Sequence, residues 1–119
     1  MISLETLNDF FRDTRQLTEE GKAKFDIDEE CRWSFFMVDT DRAKLTKAGR
    51  HLEQIDFKVV GFLDPSSEDE NPSIYLRFDR IATHTPESLF ELNSELYAIA
   101  RKFDLDDYDG MDVGAVDEP

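Results

Sequence analysis

What most restricts this chain is the order in which its apolar residues repeat with a period near two or near 3.6. From residue 31 onward the order is strand, helix, strand, strand, helix, strand. Residues 32–39, RWSFFMVD, are aromatic and β-branched and too few for a helix. Trp33, Phe35 and Met37 share one face of this strand, and Ser34, Phe36 and Val38 the other. In TDRAKLTKAGRHLEQI, residues 40–55, Leu45, Ala48, Gly49, Leu52 and Ile55 align at helical spacing, with Asp39 or Thr40 as the N-cap. FKVVGFLD, residues 57–64, predicts a second strand with Phe57, Val59, Gly61 and Leu63 opposite Lys58, Val60 and Phe62. The loop PSSEDENP, residues 65–72, is bracketed by prolines. SIYLRFDRIA, residues 73–82, follows with Ile74, Leu76 and Phe78 inward and Tyr75, Arg77 and Asp79 outward.

TPESLFELNSELYAIARKF, residues 85–103, is the clearest helix: Thr85 caps it, Pro86 sits where its missing N–H costs nothing, and a broad apolar stripe runs from Leu89 to Phe103. YDGMDVGAV, residues 108–116, supplies a last short strand, whose glycines indicate an edge or a bulge. The series is that of an α+β protein with a ferredoxin-like βαββαβ arrangement. Right-handed crossovers place both of its helices on one face of a four-stranded antiparallel sheet. The other face then carries Phe36, Val38, Val60, Phe62 and Tyr75, more apolar surface than a soluble monomer ordinarily leaves open.

Ahead of this pattern, SLETLNDFFRDTRQLTEEGK places Leu4, Leu7, Phe11 and Thr14 on one side of a helix, beside Phe10 and Leu17, with Ser3 at its start and Gly21 at its end. Residues 1–22 are therefore expected to form an amphipathic helix packed on a domain spanning 31–116, the whole a single globular unit. That helix is the favoured cover for the open sheet face, and a second copy of the chain, hence a homo-oligomer, is the alternative.

Charge narrows the function. Twenty-eight acidic residues against fourteen basic ones give a formal net charge of −14. Such a field repels phosphate backbones and attracts basic proteins, accelerating their arrival. RNA-recognition domains stack bases on the first and third strands of a similar sheet, where Phe36 and Tyr75 would lie. SIYLRFDR lacks the basic-glycine-aromatic start of such a strand, so no direct nucleic-acid binding is expected. Cys31 is the sole cysteine, which rules out an internal disulfide and points to a reducing compartment. The amino terminus lacks a basic stretch followed by an apolar run, and no stretch approaches the ~18 apolar residues of a membrane span. A cytoplasmic protein without membrane contact is expected.

Chemistry finds little footing. DLDDYDG, residues 104–110, looks like a calcium loop, but with Gly110 at the turn position Leu105 falls at the first ligand position and Val116 at the bidentate one. Cys31 reads as a buried thiol, and His51 and His84 as boundary or surface residues. All glycines are isolated, so no phosphate loop follows a strand, and no carboxylate pair stands out as acid and base. No enzyme, metal or cofactor is expected.

Several segments of the carboxy-terminal half carry a resemblance: HLEQIDFKVVGFLDP, the acidic loop, the long helix ending in Phe103, and Tyr108-Asp109-Gly110 opening the last strand. Over about residues 35–116 the chain resembles the bacterial RraB family, regulators of ribonuclease E activity B. The family pattern continues with an aromatic residue and a second glycine, where this chain has Met111 and Asp112 with Gly114 further on. The resemblance implies a non-enzymatic protein that binds the basic scaffold region of an RNase E type endoribonuclease and inhibits RNA decay. On that basis Asp104, Asp106, Asp107, Asp109 and Asp112 are expected to form an acidic, partner-binding corner, extended by Glu68, Asp69 and Glu70. The alternative is an acidic protein-binding or immunity-type domain with a different basic partner, or a self-associating domain of unrelated role.

Overall fold

The computed structural model describes residues 1–63 and 72–117. Its elements are α1 (Leu4–Glu19), β1 (Cys31–Asp39), α2 (Arg42–Gln54), β2 (Lys58–Leu63), β3 (Ile74–Ala82), α3 (Pro86–Lys102) and β4 (Asp107–Gly114). Each helix starts on a side-chain cap: Ser3, Asp41 and Thr85 accept the N–H of Thr6, Ala43 and Ser88. The α2 cap is Asp41, one residue beyond the two expected, because Asp39 is 2% exposed and accepts the Asp41 N–H instead.

All three helices also stop alike. A residue in the left-handed region follows each one, Gly21 (φ 75°), Asp56 (φ 73°) and Asp104 (φ 54°). The next N–H then turns back onto the last turn: Lys22 to Leu17 O, Phe57 to Leu52 O, and Leu105 to Ala100 O. This is the Schellman closure, and at α2 and α3 the residue after the turn, Phe57 or Leu105, is apolar and buried.

The strands form one antiparallel sheet in the order β2-β3-β1-β4. β1 lies inside it, paired along its length with β3 from Cys31↔Ala82 to Asp39↔Ile74, and on its other side with β4. Both outer strands are irregular. β4 changes register against β1 between Phe35 and Met37, beside Gly110 (φ 98°), and β2 changes register against β3 between Val59 and Gly61 (φ 151°). The second bulge overturns an expectation. An extra residue at Val60 breaks the alternation, so Val59 and Phe62 pair with Phe78 and Leu76 and pack on the core, while Leu63 turns outward. Phe62 is thus not on the open face, and Leu63 replaces it there.

The core lies between one face of the sheet and the helices. Phe35 stacks on Phe78 and meets Phe57 edge-on, and Leu45, Leu52, Leu89, Leu92 and Leu96 close over them. α2 lies against the sheet at Gly49, where a Cβ would meet Leu76 and Val59 at 3.5 Å, an ordinary packing distance. Contrary to the expectation drawn from its apolar stripe, the first helix does not cover the far face. It packs beside α3 on the same side as α2: Phe11 stacks on Trp33 at 5.9 Å, and the Ile2 N–H donates to the Tyr97 hydroxyl. The reason is Trp33, too large for the two crossover helices to enclose; with Phe10 and Phe11 against it, it is fully buried. An Arg15–Asp28 fork, 2.7 Å at both contacts, ties α1 to the loop leading into β1. Among the described residues no helix lies across the opposite face, and none is long and apolar enough to cross a membrane.

Candidate protein-binding surface

The segment that closes α3 and opens β4 mixes buried anchors with exposed acids. Asp104 ends the helix in its left-handed turn, and Leu105 behind it is buried. The Asp106 N–H donates to the buried Asp39 carboxylate at 3.0 Å, whose other oxygen takes the Asp41 N–H at 2.7 Å. One carboxylate therefore pins the start of α2 to the start of β4. Tyr108 points into the core and donates to Asn93 Oδ1 of α3 at 2.6 Å, both side chains being buried. Burial raises the Tyr108 pKa far above the ordinary phenol value, so the hydroxyl stays a donor. Gly110 sits at the bulge against Ile2 of the amino-terminal segment. Tyr-Asp-Gly therefore reads as anchor, outward charge and bulge.

The five aspartates Asp104, Asp106, Asp107, Asp109 and Asp112 are all exposed. They occupy two places rather than one. Asp104 and Asp106 stand at the α3–β4 junction, where Asp104 meets Lys44 at 3.3 Å. The Lys44 pKa is raised by that contact, hydrogen bonding to Asp104 first. Asp107 and Asp112 pair with Val38 and Ser34, which puts them on the sheet face away from the helices, with Asp109 between them on the same edge strand. Glu68, Asp69 and Glu70 lie outside the described residues. Among the described residues no three acidic, histidine or cysteine side chains gather as a metal would require.

The far face can be read row by row from the pairing. Leu63, Tyr75, Val38 and Asp107 lie side by side across four strands; Phe36 and Arg77 form the next row; Lys58, Asp79, Ser34 and Asp112 form another. Leu63 and Val60 are 49% and 48% exposed. Arg77 forks onto Asp79 at 3.1 and 3.0 Å, cancelling the charge at the centre of the face. At the Cys31 end, a cleft of about 430 Å³ is lined by Arg32, Lys58 and Arg80 facing Asp56, Asp79 and Asp117. Arg80 lies over the Phe57 ring at 3.7 Å, and burial lowers its pKa.

The remaining reactive residues are occupied structurally. Cys31 is fully buried, its thiol 3.1 Å from Asp26 O, and burial pushes its pKa up, away from the thiolate a nucleophile needs. His84 shares a hydrogen bond with Ser88 Oγ at 2.9 Å and meets Trp33 at right angles. His51 packs beside Phe103. Sequence reasoning missed the clamp made by Asp39 and the Tyr108–Asn93 pair; an aspartate closing a strand and an asparagine inside an apolar helical stripe were the available signals.

With this geometry in place, comparison with known proteins yields one family. The model described as "Regulator of ribonuclease activity B" matches residues 12–113, starting within α1 and ending in β4. The search of curated proteins gives no match.

Proposed function

The chain belongs to the RraB family, regulators of ribonuclease activity, and from that membership we propose that it controls RNA decay by binding an endoribonuclease of the RNase E type and performing no chemistry of its own. The family match over residues 12–113 carries this reading. The proposed contact is between the exposed acids Asp104, Asp106, Asp107, Asp109 and Asp112, extended by Glu68, Asp69 and Glu70, and the basic scaffold region of the ribonuclease. The net charge of −14 supports it, since it favours a cationic polypeptide and disfavours RNA itself. The sheet order β2-β3-β1-β4, with α2 and α3 on one side, supports a ferredoxin-like arrangement. A site of action in the cytoplasm goes with the partner.

The test is co-purification of the tagged protein with the endoribonuclease, with and without ribonuclease treatment, together with a decay assay using purified components. The expected result is RNA-independent capture, slower decay of a reporter RNA, and weaker binding as salt rises from about 0.05 M to about 0.5 M. Capture that vanishes on ribonuclease treatment, or decay unaffected by saturating protein, overturns it.

A further inference from the structure

The sheet face turned away from the helices is apolar on one side and anionic on the other, and its edges are closed to strand addition. Leu63, Tyr75 and Phe36, with the buried Val38 as the floor between them, make an apolar area next to β2, widened by Val60. Asp107, Asp109 and Asp112 line the β4 border of the same face, all exposed. A partner cannot readily extend the sheet instead, because each outer strand carries a bulge that interrupts its free row of hydrogen-bonding groups. A second copy fits poorly, since it brings together two chains of net charge −14 each. Of the basic groups on the face, Arg77 is held by Asp79, Arg32 reaches Ser34, and Lys58 lies at the end of β2 far from Leu63. Among the described residues, none of these three groups is placed to answer Asp107.

We propose that this face docks a cationic polypeptide segment bearing apolar anchors. The anchors seat on Leu63, Tyr75, Val38 and Phe36, and the segment's lysines or arginines reach Asp107, Asp109 and Asp112. Strands are about 4.8 Å apart, so the span from Leu63 to Asp107 is roughly 14 Å, close to the ~10–12 Å width of a helix with its side chains. An amphipathic helix, apolar along one side and basic along the flank, matches that span. The inference rests on the partner-binding function proposed above and adds the seat: the open sheet face, bordered by Asp107, Asp109 and Asp112.

The experiment titrates isotopically labelled protein with a synthetic helical peptide carrying leucine on one face and lysine elsewhere, and with a control of equal charge in which serine replaces every leucine. Backbone amide shifts and affinity are recorded at about 0.15 M salt. The expected result is that the largest shifts fall on Phe36, Leu63, Tyr75 and Asp109, and that the control binds at least tenfold more weakly. Tyr75→Ser with Leu63→Ser is expected to weaken the leucine peptide at least tenfold, and Asp9→Asn with Asp13→Asn, both on α1, less than twofold. Shifts centred on the helices, or equal affinity for both peptides, overturn the inference. A parallel capture of the ribonuclease separates the two claims. Capture that persists undiminished in Tyr75→Ser/Leu63→Ser overturns the seat and leaves the regulator role standing; absent capture with face-directed peptide binding does the reverse.

Discussion

Replacing Tyr108 by phenylalanine removes one oxygen from the core and leaves the ring where it is. That oxygen donates to Asn93 Oδ1 at 2.6 Å, and both residues are 1% exposed. Water has no ready access to the orphaned acceptor, and the other contact of the Asn93 amide, from its nitrogen to Met111 Sδ at 3.8 Å, is weak. Leaving such an acceptor unpaired costs about 1–3 kcal/mol, and the depth of this pair puts Tyr108→Phe near 2 kcal/mol. With a urea slope of about 1.5 kcal/mol per M, the unfolding midpoint should fall by roughly 1.3 M. Asn93→Leu strands the tyrosine hydroxyl and should cost a similar amount. The double variant removes both polar partners together and should be less destabilised than the sum by about 1.5 kcal/mol. Urea unfolding followed by tryptophan fluorescence measures all three, Trp33 being the only tryptophan. A Tyr108→Phe effect below about 0.5 kcal/mol, or two single effects that simply add, refutes the view that this pair is a buried, mutually dependent polar contact.

Asp104 closes α3 in a left-handed conformation that glycine adopts more easily, and its charge lies at the negative end of the helix dipole; Asp104→Gly should therefore raise stability by about 0.5–1 kcal/mol in urea unfolding. Asp39→Asn turns an amide toward one of two backbone N–H groups that need an acceptor, and should cost about 2 kcal/mol in the same assay. His84 has its pKa lowered from 6.5, mainly by burial. The unfolded chain therefore binds this proton more readily, so the contribution is present above pH 6.5 and is lost as pH falls through the folded value; comparing urea midpoints at pH 7.5 and 5, His84→Phe should flatten that part of the profile. Cys31 should resist iodoacetamide in the native protein at pH 8 and react promptly in denaturing urea; rapid native labelling would show the thiol to be accessible.

The elements themselves were legible because each apolar stripe keeps one period long enough to be recognised, and the long helix carried its cap and Pro86 in plain view. Three features were not. The bulge in β2 could not be placed from composition, since Val60, Phe62 and Leu63 all suit either face; only the pairing of Phe62 with Leu76 decides which points inward. The stripe of α1 states that Leu7 and Phe11 must be buried, yet not against what; the size of Trp33 settles that, and it acts across three elements. Asp39, Thr40 and Asp41 are all cap-forming residues in a row, and burial of the first assigns the cap to the third. The exposed aspartates of residues 104–112 were legible as a group, because charge at an element boundary stays in water. Their division between the junction and the sheet border follows from β-pairing and was not. The acids at 68–70 fall outside the described residues.

The place of β1 between β3 and β4 also governs how the polypeptide is born. This strand is made early, but its companions start only at Ile74 and Asp107. A nascent chain on the ribosome thus carries Trp33, Phe35 and Met37 as an unpaired hydrophobic ribbon through most of translation of this region, and pairing on the second side waits for residues near 114. Interrupted synthesis before Asp107 yields a ribbon open along one side, a natural target for chaperones and for its own unfinished siblings.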